Sequence, residues 1–535
     1  MRRGINIAVI GGLLMATSYL SITRNGLHAD SSITSSSPFG RKEAGIEKKD
    51  FSTAASTTDS VKNGGTGSQK DKQSIPIFND EEVNRRLRRF EESYFVDRGK
   101  GVSRYDICQL PSNNPIEDDR SEKVVEVPIQ DKDHNNERDD SDWYFWSVFD
   151  GHAGWTTSAK LRDELVDTVV SEMATSAYKV TDDNMRMVPT SDSIDRAIKA
   201  GFLKLDNEIV TENIQKLLDH PENKNAAAEL LMPALCGSCA LMSFYDSHTK
   251  RLKVAVTGDS RALLGSLNDN DEWTVNSLSV DQTGSSPVEV ARLLSEHPNE
   301  PNVIRNGRIL GSLEPSRAFG DARYKWSRDL QLKIYNKFFG RQLPANLKTP
   351  PYVTAEPVVS THDINPWRHD FLVMASDGLY EMLSNEEIVG LVVRWMEKQK
   401  IIKPKTSIFD SIFSRSSDSR LPKVIDVSDS SSKSQKQPFR KGGKGSTGKY
   451  ILEDENVATH LIRNALSNGG NAENVNLLVS IPSPLSRRYR DDLTVTVVFF
   501  SDEDKKAAAE SRTGGLEINR AATQGGLDKD VKAKL

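Results

Sequence analysis

Cysteine is scarce: Cys108, Cys236 and Cys239 are the only three in a chain of 535 residues. So small and odd a number excludes a disulfide scaffold and points to a reducing or redox-neutral setting. Cys236-Gly-Ser-Cys239 has CxxC spacing, but no second ligand pair lies nearby. That argues against zinc, and the thiols read as small strand residues. Basic excess is missing too. Lys and Arg number 71 against 76 Asp and Glu, a net charge of −5, with a pI near 6.1. With no long block of one sign, nucleic acid is excluded as a partner. Hydrophobic residues make up only 36% and mean hydropathy is −0.53, so much of the chain lies outside any core. One long apolar run occurs, at residues 4–22, and no internal repeat is visible.

What remains divides the chain. Residues 1–30 hold no acidic residue before Asp30 and carry Arg2, Arg3 and Arg24 around the apolar run, the pattern of a targeting segment or membrane anchor. Residues 31–75 are rich in Ser, Thr, Gly and Lys and read as a disordered linker. A globular part is expected over 76–502, interrupted at 402–449 by a Ser-, Lys- and Gly-rich insertion expected to be disordered. A polar tail, 503–535, closes the chain and ends in Ala533-Lys534-Leu535.

Within the globular part, strand-like runs stand at 143–150, 240–246, 252–259, 371–378 and 493–500. Helical periodicity separates them: Leu161, Leu165, Val166, Val169 and Met173 share one face, as do Ile198, Phe202, Leu205 and Ile209. Ser384-Asn385-Glu386-Glu387 is a capping box ahead of another helix. The closeness of 240–246 to 252–259 indicates a hairpin, so the expected class is α+β with antiparallel sheets.

Acidic residues collect at strand ends and turns: Glu117-Asp118, Asp150 before Gly151, Asp259 in GDSR, Asp377 in SDG, and Asp491-Asp492 in RDDLTV. Each alone reads equally well as a surface turn. Together they form an all-oxygen donor set, which favours Mg2+ or Mn2+, because carboxylates gathered from distant strands repel unless cations sit between them.

In that order the motifs IED (116–118), VFDGHAG (148–154), GDSRALLG (258–265), SRAFGD (316–321), ASDGLYEML (375–383) and YRDDLTV (489–495) resemble the metal-dependent Ser/Thr protein phosphatases of type 2C. The resemblance covers roughly 76–502 and implies two packed antiparallel β-sheets flanked by helices. The stretches NNPIEDDRS (113–121), EHPNEPNVI (296–304), LEPSRAFGDARYKW (313–326), PPYVTAEPVV (350–359) and ATHLIRNAL (458–466) resemble the mitochondrial pyruvate dehydrogenase phosphatase branch.

The resemblance implies roles. Asp150 would bridge two ions, with the Gly151 carbonyl and Glu117 on one and Asp377 and Asp491 on the other. Asp118 would orient the shell, and Asp259, Asp377 and Glu381 could hold a third ion. His152 would protonate the leaving seryl or threonyl oxygen. Many members carry an arginine four residues before the first metal-binding glutamate, where this chain has Asn113; Asn113, Arg120 and Arg104 are the candidates for holding the phosphate. A phosphoprotein substrate follows, the E1α subunit of pyruvate dehydrogenase by the branch likeness. Two rivals stand beside it: an inactive binding module of the same fold, which loss of metal ligands would betray, and a small-molecule phosphatase. The expected location is mitochondrial, with a single N-terminal membrane anchor, and the terminal Ala-Lys-Leu resembles the address read by the peroxisomal import receptor.

Overall fold

Period-two alternation decides which neighbours each strand meets. Along Leu493–Phe500, Leu493, Val495, Val497 and Phe499 pack to one side, while Val498 and Phe500 pack to the other. Phe371–Ala375 divides likewise, with Phe371, Val373 and Ala375 against Leu372 and Met374. Strands buried on both faces belong in the middle of a layered fold.

The computed structural model describes residues 20–22, 75–96, 98, 101–128, 140–177, 189–220, 222, 224–404, 420–429, 435, 438, 449–501 and 515–525. An eight-stranded sheet runs in the order Val424–Asp426, Trp273–Ser277, Arg261–Leu267, Phe371–Ala375, Leu493–Phe500, Val102–Leu110, Glu92–Val96, Leu516–Ile518. A six-stranded sheet runs Leu20–Ile22, Asp119–Pro128, Asp140–Phe149, Ala240–Asp246, Arg251–Thr257, Val358–Asp363. Neighbours are antiparallel except Val424–Asp426, which lies parallel to Trp273–Ser277. The two sheets pack face to face over a core holding Tyr105, Tyr144, Trp146, Tyr245 and Met374. Helices Thr156–Glu172 and Ser191–Asn207 cover the outer face of the smaller sheet. Helices Asn385–Lys398 and Val457–Ser467 cover that of the larger. This is the expected α+β arrangement of two packed antiparallel sheets flanked by helices. Residues 24–76 separate as a unit of their own, of which only Ile75 and Pro76 are described.

Three expectations need correction. Within the insertion expected to be disordered, Val424–Asp426 is a strand, the Val427 N–H donates to the Val275 carbonyl (2.9 Å), and buried Gln435 donates to the Ser279 carbonyl (2.7 Å). A short apolar run there finds an open sheet edge despite its polar surroundings. In the tail, Leu516–Ile518 pairs with Tyr94–Val96, and Asn456 Nδ2 donates to the Ala522 carbonyl (3.0 Å), so the folded part extends past 502. Near the N-terminus, Leu20–Ile22 pairs with Glu122–Val124, which takes three residues from the apolar run at 4–22. Residues 1–19 and 526–535, which carry the rest of the two address signals, lie outside the described residues. No helix among the described residues is long and apolar enough to cross a membrane.

Candidate active site

Asp150 ends the strand Asp140–Phe149, and its carbonyl accepts from the Cys239 N–H (2.9 Å). The chain then turns into the two-residue strand Gly151–His152, which pairs with Gly237–Ser238, itself paired with Phe319–Gly320. This small sheet sets His152 opposite Asp321, with His152 Nε2 and Asp321 Oδ2 2.6 Å apart. Gly237 makes that pairing possible: a Cβ there would stand 2.1 Å from His152 Nε2 and 2.5 Å from Asp321 Oδ2. Gly151 is as constrained, because a Cβ would lie 2.0 Å from the Glu117 carbonyl oxygen. The Asp-Gly corner therefore packs directly on the Glu117 backbone.

The other carboxylates arrive from the larger sheet. Phe371–Ala375 leads through Ser376 to Asp377 at the start of a short helix, whose N–H donates to Asp150 Oδ2 (3.4 Å). Asp491 and Asp492 immediately precede Leu493–Phe500. Buried Asp118 accepts from Ser376 Oγ (2.8 Å) and Thr494 Oγ1 (2.7 Å), tying the two sheets together at this end.

A cavity of about 400 Å3 gathers Asp150, His152, Asp259, Asp377, Glu381 and Asp491 on its walls. Their crowding is electrostatically costly. Burial, then the charges of Asp118, Asp377, Asp259 and Asp491, pushes the Asp150 carboxyl well above the usual range. Burial and then Asp492 and Asp491 do the same to Asp118, and burial followed by Asp492 raises Glu117. Asp491 is raised by burial although Arg487 opposes it. Among the described residues no three His, Cys, Asp or Glu side chains are already drawn into a ligand shell. The donor set nevertheless fits a hard divalent cation: it is all oxygen, and its mutual repulsion is what such an ion would relieve. His152 behaves oppositely. Burial alone would lower its pKa, but the Asp321 charge and hydrogen bond raise it on balance.

The structure does not bring Arg120 or Arg104 to this cavity. Arg120, 4% exposed, lies between the sheets and pairs with Glu92 (2.9 Å) and Glu122 (2.6 Å). Arg104 pairs with Asp106 (2.7 Å) and stacks over Trp395. Both point into the protein because strand alternation turns them inward, so neither holds a phosphate. Asn113 is nearby but occupied: its Nδ2 donates to Asp492 Oδ2 (3.0 Å) and contacts Glu117 Oε2 (3.4 Å), so it steadies carboxylates. Buried Asp492 also accepts from the Glu117 N–H (3.0 Å). Two residues escaped the sequence reading. Arg487 lines the cavity and pairs with Asp491, and its signal was the basic run Arg487-Arg488-Tyr489-Arg490 ahead of two aspartates. Asp321 closes the SRAFGD motif, whose role spacing alone did not reveal. The three cysteines are buried free thiols. Burial, then Asp259 and Asp150, holds the Cys239 thiol well above its usual pKa, so it stays protonated beside Asp259.

The family model described as Protein phosphatase 2C matches residues 117–412. Mitochondrial pyruvate dehydrogenase (acetyl-transferring) phosphatase 1 of Saccharomyces cerevisiae is 48% identical over 496 residues, 89% of this chain and 83% of that protein. The human phosphatase 2 of that name is 34% identical over 331 residues, 58% of this chain and 56% of that protein. The human phosphatase 1 is 29% identical over 501 residues, 78% and 82% respectively.

Proposed function

The chain belongs to the protein phosphatase 2C family and is a protein serine/threonine phosphatase, a hydrolase, and we propose that it cleaves phosphoserine and phosphothreonine at the acid cluster around Asp150. The convergence of Asp150, Asp259, Asp377, Glu381 and Asp491 with His152 on one cavity carries this reading. Members of the family generally depend on Mg2+ or Mn2+. In this chain Asp150, the Gly151 carbonyl, Glu117, Asp377 and Asp491 would hold two such ions, with Asp118 supporting them and Asp259, Asp377 and Glu381 available for a third. When bound, these ions supply positive charge against the phosphoryl group and a more acidic water.

The protein's own groups do the rest. Arg487 presents a guanidinium fork to the phosphate oxygens, the task for which Asn113 has no charge and Arg120 no access. His152, whose pKa the Asp321 charge raises, delivers a proton to the departing seryl or threonyl oxygen; with Nε2 committed to Asp321, Nδ1 is the nitrogen available.

The relatives' names suggest phosphorylated pyruvate dehydrogenase as the substrate, its E1α subunit being the expectation from the motif likeness, and their stated location suggests mitochondria. The pairing of Leu20–Ile22 leaves residues 4–19 of the apolar run, fewer than the roughly 20 a spanning helix needs, which favours a targeting segment over an anchor. A peroxisomal pool read from Ala533-Lys534-Leu535 is a further proposal, tested by imaging with and without those residues. For the activity itself, Asp150→Asn is expected to abolish hydrolysis of a phosphopeptide in Mg2+ or Mn2+. Full activity in that variant would overturn the assignment.

A further inference from the structure

A second cavity, of about 680 Å3, lies beside the acid cluster and is unused by the chemistry above. Phe90, Leu110, Ile116 and Ile481 contribute apolar wall, and among the described residues the charged lining is Arg85, Arg86, Arg89 and Arg490 against Glu82. Glu82 is already paired with Arg85 and Arg86.

Arg490 is the informative member. It is 6% exposed, and its guanidinium donates to the Pro111 carbonyl (2.7 Å) and, at 3.4 Å, to the carbonyls of Leu110 and Asp491. Among the described residues no carboxylate is hydrogen-bonded to it, and its Nε has no partner. Arg490 therefore brings to the cavity wall a buried positive charge whose hydrogen bonds, among the described residues, go only to carbonyl oxygens. The three exposed arginines make the mouth attractive to anions, and the apolar walls ask for an apolar neighbour.

One segment borders both cavities. In the segment 486–491, Ser486 and Arg490 face the second cavity, while Arg487 and Asp491 face the first. Asn113 lines the second and contacts Glu117 and Asp492, the latter next in the chain to Asp491 of the first. A polypeptide whose phosphorylated residue sits at the acid cluster would continue along this segment.

We propose that the second cavity is a substrate subsite for the segment flanking the phosphorylated residue, and that this segment carries a carboxylate side chain beside an apolar one. The assignment rests on the phosphoprotein phosphatase reading. It is tested with the full chain in Mn2+ and a phosphoserine peptide series in which Asp, Asn or Lys is placed in turn at each flanking position beside a leucine. Each kcat/KM is taken relative to an aryl phosphate in the same preparation. At the position that reaches the cavity, the expected order is Asp, Asn, Lys, spanning roughly tenfold, the size of a few rim charge pairs. Arg85 and Arg89 are exposed, so the charge reversals Arg85→Glu and Arg89→Glu together leave the core untouched and are expected to erase or invert the order; Arg89→Ala alone weakens it. Wild-type enzyme that hydrolyses the aryl phosphate yet treats all peptides alike would overturn the subsite and leave the phosphatase intact. A reversed-charge variant that keeps the wild-type order would do the same. No turnover of any ester would overturn both.

Discussion

Asp321→Asn tests whether the His152 pair acts in catalysis. The carboxylate is 5% exposed, and its Oδ2 lies 2.6 Å from His152 Nε2, so the bond is charge-assisted and poorly screened. Asparagine keeps the shape and tolerates the left-handed backbone of this position, where φ is 48°. Only the charge goes. A charge-assisted bond is worth about 1.5–3 kcal/mol and a neutral one about 0.5–1.5, so the difference of about 1–1.5 kcal/mol predicts roughly a tenfold loss of turnover. The loss depends on the leaving group: an alkyl phosphoserine peptide needs its oxygen protonated, whereas an aryl phosphate departs with little help. His152→Gln should lose more than tenfold on the peptide and far less on the aryl ester. Because both residues serve one proton transfer, the double variant should be no slower than His152→Gln alone. Steady-state kinetics on the two substrates across the four proteins provides the cycle. Equal losses on both esters, or full additivity in the double variant, would refute the pairing as a catalytic device and leave it as packing.

Arg487→Ala should raise KM for a phosphopeptide about tenfold to a hundredfold with kcat less affected, and weaken inhibition by inorganic phosphate in parallel; an unchanged phosphate inhibition constant would remove Arg487 from the substrate. Arg120→Met should cost about 3–5 kcal/mol of stability in urea unfolding, because Glu92 and Glu122, both buried, lose their counter-charge, while KM of the folded enzyme stays put. A raised KM at unchanged stability would restore Arg120 as a phosphate ligand. Burial holds the His460 imidazole down at about 4 against an ordinary 6.5. The unfolded chain therefore takes up a proton that the native state refuses, and about 3 kcal/mol of stability present above pH 6.5 is lost as pH falls toward 4. His460→Gln should lack that loss. Glu91, raised to about 7 by burial, contributes with the opposite sign, so the readout is the difference between wild type and variant at pH 7 and 4.5.

The ordered motifs determined much by themselves. VFDGHAG, ASDGLYEML and YRDDLTV each join an apolar strand to an acidic corner, so the local sequence fixes both the strand and the place where its carboxylate leaves the core. The runs 240–246 and 493–500 form strands with those very bounds, and the capping box at Ser384 starts its helix with both reciprocal hydrogen bonds, because these signals are local and periodic. Asp119–Pro128 was not legible, since Asp119-Arg120-Ser121-Glu122-Lys123 looks like surface; only the facing sheet supplies Glu92 to neutralise Arg120 and permit its burial. The same limit applies to the strands at Val424–Asp426 and Leu516–Ile518, short segments whose order comes from a sheet edge assembled elsewhere. At the site, sequence named the carboxylates but could not pair His152 with Asp321, 169 positions apart, nor prefer Arg487 to Arg120. Those choices depend on which way a side chain points once two sheets have closed on each other, and that direction belongs to the packing.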